Sequence, residues 1–577
     1  MGNIISAASL AEKYVVADNH PASDYFTMIK GLILLRDQNA PASAEYAAHQ
    51  ESIDKIYLLV EDEIRTNSQR PKTEVKFGTS GWRGIIGKDL FAKSVALVTR
   101  AIVSVYEELD NDSTLCEPLG IKSFAEAQER GCILGYDNRF GGEILARAAS
   151  EVLTSHGINV FYAGEATTGT LSASLLIHEG AFSINLTPSH NPLEYAGFKF
   201  NAADGGPAAT EITNQITKNA RQLINQNEPL ALAPNPALIK PIDALAVWFE
   251  LVKRGEPKHG LNLQQTMQTF AEGDNLVVAV DCVHGASRVH VRRLFQNLDS
   301  PKLIFLRDNN DPTFGGVAPE PSTANMEAVT TILKNRPEPL KLGIIMDPDA
   351  DRIRFTDGNT EIDMNTFGAM AYHFLHETKG KRGLVAKTVA TSNFANELAN
   401  KLGEEVFEPK VGFKEFKPVI DRALICFEES DGITTIGHTP EKDAYIGLLL
   451  ALDMVLTLQK NLGDYRLELR EKYGYFYPDR DGVTVSQQGE ELTRALARLE
   501  KYTPGATVNV NGEEKTIATV IDIDGRKMIL ADGSWLMIRP SGTEPKVRFY
   551  VEARTEAGKN ALFAAAEAML REIGLVN

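Results

Sequence analysis

The 577-residue chain has little cysteine and no long apolar run. Its four cysteines show no CxxC spacing, which argues against a zinc site or a disulfide framework and favours a reducing compartment. Because no run of 18 apolar residues occurs, and no basic stretch precedes an apolar one, we expect neither a membrane span nor secretion. The net charge of −17 leaves no general basic surface for nucleic acid. These absences predict a cytoplasmic protein without a nucleic-acid or membrane partner, in which any phosphate site needs a local cluster of Lys and Arg.

The order of secondary-structure patterns along the chain predicts several domains. Apolar residues at helical spacing, such as Phe26, Ile29 and Ile33, predict a mostly helical segment over residues 1–70. From about residue 71, strand and helix patterns alternate, which predicts α/β domains with mainly parallel sheets and ligands beyond the carboxyl ends of the strands. In the last hundred residues several strand patterns precede one helix, residues 556–573, which predicts a smaller α+β domain.

A serine between two prolines is the first candidate for chemistry. Thr187-Pro188-Ser189-His190-Asn191-Pro192 follows a short apolar run, residues 181–186, that predicts a buried strand. Each proline fixes its own φ and biases the residue before it towards extended backbone, so the Ser189 hydroxyl is presented at a defined point. The segment suits a nucleophile or a phosphate carrier, and an ordinary proline-rich turn is the alternative.

Three aspartates follow another apolar strand pattern, residues 342–346. In Asp347-Pro348-Asp349-Ala350-Asp351-Arg352 the carboxylates at i, i+2 and i+4 can converge on one hard cation. A calcium EF-hand loop is excluded because Arg352 and Gly358 stand at its required glycine and glutamate positions. An aspartyl-phosphate phosphatase motif fits the segment poorly, and a solvated acidic turn leaves the repulsion among three close carboxylates unexplained. The segment therefore predicts a metal site.

Three further loops carry hydroxyls, carboxylates or cations at strand ends. The loop Arg539-Pro540-Ser541-Gly542-Thr543-Glu544-Pro545, with Lys546 and Arg548 behind it, combines small residues, hydroxyls and cations, as an anion site requires. The cluster Phe77-Gly78-Thr79-Ser80-Gly81-Trp82-Arg83-Gly84 lacks the Walker pattern and is either an anion contact or a structural turn. In Phe427-Glu428-Glu429-Ser430-Asp431-Gly432, two carboxylates and a hydroxyl follow a strand, where they bind sugar hydroxyls or face solvent.

Together, and in this order along the chain, the five loops resemble those of the α-D-phosphohexomutase superfamily, which contains the phosphoglucomutases and phosphomannomutases. The resemblance covers roughly residues 71–577. It implies three α/β domains and one smaller α+β domain around a central cleft, preceded in the chain by a helical extension over residues 1–70. The expected bounds of the four domains are 71–245, 246–362, 363–476 and 477–577. A monomer or a small homo-oligomer is expected.

The resemblance assigns roles to the motifs. Ser189 would be the phosphoserine, and its phosphate would hold Mg²⁺ together with Asp347, Asp349 and Asp351. Lys199 or His190 would be the base, and Arg352 would lie beside the metal. The substrate-binding residues would be Thr79, Ser80, Arg83, Lys414, Glu428, Ser430, Arg539, Ser541, Gly542, Thr543 and Arg548.

The reaction that the resemblance implies interconverts glucose 1-phosphate and glucose 6-phosphate. Ser189 would pass its phosphoryl group to the sugar phosphate, giving glucose 1,6-bisphosphate, which also acts as activator, and would then receive the other phosphate. The Glu428-Glu429-Ser430 form is similar to that of glucose-type mutases. Phosphomannomutase, dual-specificity and phosphopentomutase activities are alternatives, since Asp431 replaces a small or apolar residue and Pro348 and Ala350 replace glycines of many members. An alternative of another class is a non-catalytic scaffold that binds sugar phosphates.

Overall fold

The computed structural model describes residues 6–78, 81–541 and 546–576, and within them the chain forms four β-sheets. By its internal contacts the chain divides into two compact units. The first unit contains the chain up to Leu251, Val280–Glu327 and Ile345–Asp351. The second unit contains Val252–Ala279, Ala328–Ile344 and the chain from Arg352 onwards.

The N-terminal segment is helical, as its apolar spacing predicted. Asp24 and Ser43 cap the second and third helices, because their side chains accept the N–H groups of Thr27 and Tyr46. The first helix was not indicated by the sequence pattern, since it contains no buried residue. The helices are α1 Ala7–Tyr14, α2 Tyr25–Arg36 and α3 Ala44–Thr66.

The first sheet has the strand order β1-β5-β4-β2-β3-β6. Its centre is parallel, as predicted, but β5 runs antiparallel to β1 and β4, because residues 187–194 turn the chain straight back beside β4. This hairpin places Lys199 of β5 opposite Asn185 of β4. The strands are β1 Trp82–Ile85, β2 Cys132–Tyr136, β3 Val160–Glu165, β4 Phe182–Leu186, β5 Tyr195–Ala202 and β6 Ile239–Pro241. The helices are α4 Ala92–Glu107, α5 Cys116–Leu119, α6 Phe124–Arg130, α7 Gly142–Ser155, α8 Thr168–Ile177 and α9 Thr210–Gln226.

The second sheet has the strand order β11-β10-β9-β7-β8. Its strand β9 ends directly before the three aspartates. The last five residues of this strand, 342–346, are all buried, as their apolar run predicted. The strands are β7 Leu276–Asp281, β8 Leu303–Leu306, β9 Leu340–Met346, β10 Ile353–Thr356 and β11 Glu361–Ile362. The helices are α10 Ala244–His259, α11 Leu263–Glu272, α12 Val291–Leu294 and α13 Thr323–Lys334.

The third sheet has the order β13-β12-β14-β15, with β12 parallel to β13 and β14, and with β14 and β15 forming an antiparallel hairpin. Its strands are β12 Leu384–Lys387, β13 Val406–Phe407, β14 Ala423–Glu428 and β15 Gly432–Thr435. The helices are α14 Met364–His373, α15 Phe394–Leu402, α16 Ala444–Leu458 and α17 Leu462–Tyr473. In the described part of the chain no single helix has the length and apolar character to cross a membrane. Helices α16 and α17 are long and apolar enough only when taken together, and they are bent by 79° relative to each other.

The fourth sheet is antiparallel throughout, with the order β16-β21-β20-β19-β18-β17, and helix α19 packs against it. This arrangement agrees with the α+β fold predicted for the end of the chain. The strands are β16 Tyr477–Thr484, β17 Thr507–Val510, β18 Glu513–Ile521, β19 Arg526–Leu530, β20 Trp535–Pro540 and β21 Lys546–Ala553. The helices are α18 Gly489–Ala497 and α19 Glu556–Glu572.

Candidate active site

Ser189 lies in the loop between β4 and β5, with its backbone in the left-handed region at φ +57°. Its N–H donates to Oγ1 of Thr187 at 2.9 Å, and that hydroxyl donates to Oδ2 of Asp137 at 2.6 Å. Burial raises the pKa of Asp137 to about 6, against the opposing charge of Arg139. Gly197 of β5 packs against the loop, because a Cβ there would lie 2.2 Å from the Thr187 carbonyl oxygen. Polar contacts and close packing therefore hold the base of the loop.

The buried guanidinium of Arg139 holds the rest of this loop. It donates to the carbonyl oxygen of Ser189 at 2.7 Å and also to the carbonyl oxygens of Asn191 and Pro192. Its charge is balanced by Asp137, whose Oδ2 lies 3.6 Å from Nε. A planar group with several donors in fixed directions determines the positions of all three carbonyls at once. We call residues 187–194 the serine loop and Arg139 its clamp.

The three aspartates lie in a tight turn after β9. The N–H of Asp351 donates to Oδ1 of Asp347 at 3.0 Å, and Ala350 adopts φ +48°. Gly285 packs against the turn, since a Cβ there would lie 2.6 Å from Cα of Pro348. All three carboxylates are buried, and one oxygen from each lies within 4.8 Å of the other two. The turn therefore gathers three acidic groups at one point.

The serine hydroxyl and Lys199 meet these aspartates. Oγ of Ser189 donates to Oδ2 of Asp347 at 2.7 Å and lies 3.4 Å from Oδ1 of Asp351. Nζ of Lys199 donates to Oδ2 of Asp349 at 2.6 Å and to Oδ2 of Asp351 at 2.9 Å. We call this group the serine–aspartate cluster: Ser189, Lys199, Asp347, Asp349 and Asp351.

Two residues behind the cluster support Asp349. The hydroxyl of Thr168, at the start of α8, donates to Oδ2 of Asp349 at 2.6 Å. Nδ2 of Asn185 donates in turn to the Thr168 hydroxyl at 3.0 Å. Because both residues are buried, these bonds restrict the orientation of the carboxylate.

The donor set of the cluster fits a divalent cation. Lys199 provides one positive charge beside three buried carboxylates, and an uncompensated buried charge is costly. Oδ1 of Asp349 is buried and accepts no hydrogen bond from the described residues. Carboxylate oxygens are the ligands that Mg²⁺ and Ca²⁺ prefer. The residues present are therefore suited to hold such an ion.

Two more of the predicted residues lie at the serine loop. Nδ1 of His190 is 3.5 Å from Oγ of Ser189. Nη1 of Arg83, on β1, donates to Oδ1 of Asn191 at 3.0 Å. Thr79 and Ser80, predicted for the same cluster as Arg83, lie outside the described residues.

In the second unit, Glu428 and Ser430 lie where β14 turns into β15. Oγ of Ser430 donates to Oε1 of Glu428 at 2.7 Å, and Nζ of Lys442 lies 3.4 Å from the same oxygen. Glu429 has other partners: its Oε2 accepts from the Thr388 hydroxyl at 3.0 Å. The carboxylate of Glu428 and the hydroxyl of Ser430 therefore form a hydrogen-bonded pair. We call residues 428–432 the glutamate loop.

Asp431, which departs from the common form of this loop, has a defined structural role. It adopts φ +72°, and its carboxylate accepts from Nη2 and Nε of Arg354 at 2.9 and 3.3 Å. Its carbonyl oxygen accepts from the N–H of Ile353 at 2.9 Å. Burial lowers the pKa of Arg354, but the nearby carboxylates of Asp431 and Glu361 raise it more, so that the pKa lies above its usual value. The ion pair joins the glutamate loop to the start of β10.

Arg539 and Arg548 lie directly opposite each other on β20 and β21. Like charges in this position repel each other. The carboxylate of Asp524 offsets part of this repulsion, since its Oδ2 lies 3.3 Å from Nε of Arg539. At the end of this hairpin the N–H of Ser541 donates to the carbonyl oxygen of Lys546 at 2.8 Å. The two arginines make this hairpin end suitable for an anion.

The remaining predicted residues lie outside the two groups described above. Lys414 lies in a short helical turn, Phe413–Val419, in the second unit. Arg352 follows Asp351 in the chain and begins the last stretch of the second unit. Gly542 and Thr543 lie outside the described residues.

Four domain models of one family match the chain. They are described as phosphoglucomutase/phosphomannomutase α/β/α domain I (residues 119–227), domain II (259–360), domain III (363–473) and C-terminal domain (488–569). The matched stretches make up well over half of the chain and follow one another in domain order. The chain belongs to the phosphoglucomutase/phosphomannomutase family. It is therefore a mutase of the phosphohexomutase type, with three α/β domains and a C-terminal α+β domain.

Curated relatives of this phosphohexomutase have several substrate names. A phosphoglucosamine/phosphogalactosamine mutase of Sulfurisphaera tokodaii is 24% identical over 84% of this chain and 97% of its own length. A phosphoglucomutase/phosphomannomutase of Thermococcus kodakarensis is 25% identical over 83% of this chain and 95% of its own length. The solved structure of parafusin, a phosphoglucomutase from Paramecium, matches with a TM-score of 0.66 at 19% identity over 88% of this chain and 96% of that chain. This last likeness concerns the fold alone.

The supporting residues of the phosphohexomutase were missed by the sequence reasoning. Asp137 and Arg139 directly follow β2, and Thr168 begins the helix after β3. Their position at the carboxyl ends of parallel strands was the available signal, because ligands of α/β sheets bind there. Lys442, the partner of Glu428, gave no signal, since it belongs to no motif and approaches Glu428 only in the folded chain.

Proposed function

We propose that the protein is a phosphoglucomutase that interconverts glucose 1-phosphate and glucose 6-phosphate through a phosphoserine at Ser189 and glucose 1,6-bisphosphate. The observation that carries the proposal is the 2.7 Å contact between Oγ of Ser189 and Asp347 inside the serine–aspartate cluster. Phosphoryl transfer needs charge neutralisation and in-line positioning more than covalent chemistry. A fixed hydroxyl among buried carboxylates and a lysine suits that requirement. The Glu428-Glu429-Ser430 form favours glucose as the sugar.

The residues of the first unit position the transferring oxygen. Asp347 orients Oγ of Ser189, while Arg139 fixes the carbonyls of Ser189, Asn191 and Pro192. Lys199 brings a positive charge to the same point. When bound by Asp347, Asp349, Asp351 and the Ser189 phosphate, Mg²⁺ would neutralise charge on the transferred phosphoryl group. Positioning of this kind lowers the barrier because the reacting atoms need no further ordering.

The attacking sugar hydroxyl must lose a proton, and His190 and Lys199 are the two candidate acceptors. The contacts of Lys199 with Asp349 and Asp351 favour its charged ammonium form, which has no acceptor site. His190 lies 3.5 Å from the transferring oxygen and has a ring nitrogen that can accept. The variants His190→Gln and Lys199→Met separate the two, because loss of the base removes the acidic limb of the pH profile of kcat.

We assign the substrate contacts by motif and chemistry. Glu428 and Ser430 are proposed to bind sugar hydroxyls, to which a carboxylate and a hydroxyl can both hydrogen-bond. The like-charged pair of Arg539 and Arg548 is proposed to bind the phosphate that does not react. The other residues proposed to contact the substrate are Thr79, Ser80, Arg83, Lys414, Ser541, Gly542 and Thr543, and Arg352 is proposed to lie beside the metal.

The test of this proposal combines mass and activity. Purified protein is expected to carry one phosphoryl group on Ser189 in part of the molecules, and to convert glucose 1-phosphate in the presence of Mg²⁺ and trace glucose 1,6-bisphosphate. Ser189→Ala should remove both the phosphate and the activity. The matched control is Ser155→Ala, at a serine at the end of α7 whose hydroxyl donates to the carbonyl oxygen of Glu151 in the same helix. Unchanged turnover by Ser189→Ala would contradict the mechanism.

A substrate series separates the alternatives within the family. Mannose 1-phosphate, glucosamine 1-phosphate and ribose 1-phosphate are assayed beside glucose 1-phosphate, each with its own bisphosphate activator. The proposal expects the highest kcat/KM for glucose 1-phosphate. A higher value for another sugar would replace glucose as the substrate. Absence of both phosphorylation and turnover would favour the non-catalytic sugar-phosphate scaffold.

A further inference from the structure

The N-terminal extension, helices α1–α3, is the part of the first unit that the proposed function does not use. Its apolar residues belong to the same continuous core as the first sheet, which joins Ile29 and Val60 of the extension to Ile102 of α4 and Phe182 of β4. A segment that shares a core with a sheet folds with that sheet. The extension is therefore an integral part of the unit that carries Ser189.

Helix α3 packs on the turn that carries the clamp of the serine loop. The ring of Tyr57 lies 4.4 Å from the ring of Phe140, centroid to centroid. One residue further on, Gly141 lies so close to Ile64 that a Cβ would approach its Cδ1 to 2.5 Å. Tyr57 and Ile64 are both buried. Two turns of the extension thus fix the backbone directly after Arg139.

The guanidinium of Arg139 also packs against the segment Phe314–Gly316, which itself contacts the extension. Its Cζ lies 4.7 Å from the centroid of the Phe314 ring, an arrangement in which the cation faces the aromatic ring. Gly316, two residues on, abuts Ile33 of α2, since a Cβ there would lie 2.7 Å from Cγ2 of Ile33. The extension therefore contacts both elements that surround the clamp.

A charged contact joins the extension to the far end of the serine loop. Nζ of Lys30 on α2 donates to Oε1 of Glu194 at 2.6 Å. Glu194 is the last residue of the loop, and its carbonyl oxygen accepts from the N–H of Ile86 after β1. The loop is thus fixed at Ser189, Asn191 and Pro192 through Arg139, and at Glu194 through Lys30.

We propose that the extension is a positioning element of the serine loop, acting through Arg139 by way of Tyr57 and Phe140, and through Glu194 by way of Lys30. The contacts of the extension reach the surroundings of Arg139 and the end of the serine loop, whereas Oγ of Ser189 contacts Asp347 and Asp351. The effect of the extension is therefore on where the hydroxyl lies. A displaced loop changes the rate of transfer more than the binding of the sugar phosphate. This inference rests on the proposed function.

The first test uses Tyr57, whose hydroxyl is buried and has no hydrogen-bond partner among the described residues. Tyr57→Ala removes the ring from Phe140 and is expected to lower kcat about tenfold with KM changed less than about twofold, as for other small displacements of reacting groups. Tyr57→Phe keeps the ring and should retain the wild-type kcat. The fraction of protein phosphorylated on Ser189 should fall in Tyr57→Ala and not in Tyr57→Phe.

Two controls separate positioning from general loss of stability. Leu58→Ala removes the next side chain of α3, which is 65% exposed, and should leave kcat unchanged. Ile102→Ala truncates a fully buried residue of the same core on α4; it should lower the thermal midpoint about as much as Tyr57→Ala and keep kcat within about twofold at 25 °C. Equal kcat in the two buried truncations would overturn the proposal.

A second test remains decisive if Tyr57→Ala does not fold. Lys30 and Glu194 are both at least partly exposed, so charge reversal leaves the core intact. Lys30→Glu is expected to lower kcat about two- to threefold, within the range of such pairs, and the double variant Lys30→Glu with Glu194→Lys should restore it. The same kcat in the single and the double variant would overturn the proposal.

The failure of this inference is distinguishable from failure of the proposed function. If wild-type protein carries no phosphate on Ser189 and turns over no sugar phosphate, the proposed function fails. If wild type is phosphorylated and active while the Tyr57 and Lys30 variants behave as their controls, the function stands and only the role of the extension is wrong.

Discussion

Thr168 holds Asp349 at two points. Its hydroxyl donates to Oδ2 of the carboxylate at 2.6 Å, and its N–H donates to the carbonyl oxygen of Asp349 at 2.8 Å. The first bond fixes the side chain and the second fixes the backbone of the aspartate turn. Asp349 has one further oxygen, Oδ1, without a hydrogen bond from the described residues, which leaves it available to a metal ion.

Thr168→Val should weaken metal binding. Valine keeps the shape of threonine but removes the donor to Asp349, and loss of a hydrogen bond to a ligating group typically costs about 10- to 100-fold in metal affinity. Thr168→Ser keeps the donor and should bind Mg²⁺ nearly as wild type does. Titration of activity and of thermal midpoint with Mg²⁺ measures both variants. Equal affinity in Thr168→Val and wild type would show that the hydroxyl has no part in the site.

Removal of divalent cations should lower the stability of the protein as well as its activity. An ion that binds only the folded state stabilises it by about 2.7 kcal/mol at 100 times its dissociation constant. The thermal midpoint in Mg²⁺ should therefore exceed that in EDTA, and Asp347→Asn should lose most of the difference. Asp421→Asn, at an exposed aspartate, is the control and should show the wild-type difference. A midpoint independent of Mg²⁺ in wild type would contradict the metal site.

Arg354→Met should destabilise the second unit because it leaves the carboxylate of Asp431 buried without its partner. Breaking a buried ion pair in this way costs about 3–5 kcal/mol. The double variant Arg354→Met with Asp431→Gly should recover much of this loss, since it also removes the buried charge and places glycine at φ +72°. Urea unfolding of the wild type, both single variants and the double variant measures the coupling. Additive losses would show that the two side chains act independently.

Acidification should destabilise the protein in part through His259. Burial, and then the charge of His438, lowers the pKa of the His259 ring to about 3. The unfolded chain takes up a proton near pH 6.5 and the folded chain does not, so the stability from this residue is complete above pH 6.5 and declines as the pH falls towards 3. At pH 5 the loss is about 2 kcal/mol. His259→Gln should reduce the difference in stability between pH 7 and pH 5 by that amount, measured by urea unfolding; parallel pH curves would contradict the assignment.

The sequence was informative where chemistry is carried by residues close together in the chain. The i, i+2, i+4 spacing placed Asp347, Asp349 and Asp351 on one turn, and the two prolines marked the loop of Ser189. Strands with uniform apolar runs, such as β4 and β9, were also predicted to within about two residues, because a buried strand leaves an unbroken pattern. The family resemblance then predicted four domains, which the family models confirm.

What the sequence did not predict depends on contacts between distant residues. Arg139 clamps a loop about fifty residues later in the chain, and Thr168 supports an aspartate 181 residues away. Neither belongs to a spaced motif, so no local pattern marks them. The same holds for Asp431: the sequence showed an unusual residue, and only the folded chain shows that Arg354 is its partner. The predicted domain boundaries and the roles of the site residues stay predictions.

The left-handed backbone of Ser189 limits which amino acids this position can accept. Threonine has an equivalent alcohol oxygen, but its branched Cβ is strongly disfavoured at φ +57°. Conformation rather than reactivity thus rules out the obvious substitute for the phosphate carrier. In a comparison of homologous chains, a position of this kind should alternate between serine and small residues without an alcohol, so that each change there also marks a loss of catalysis.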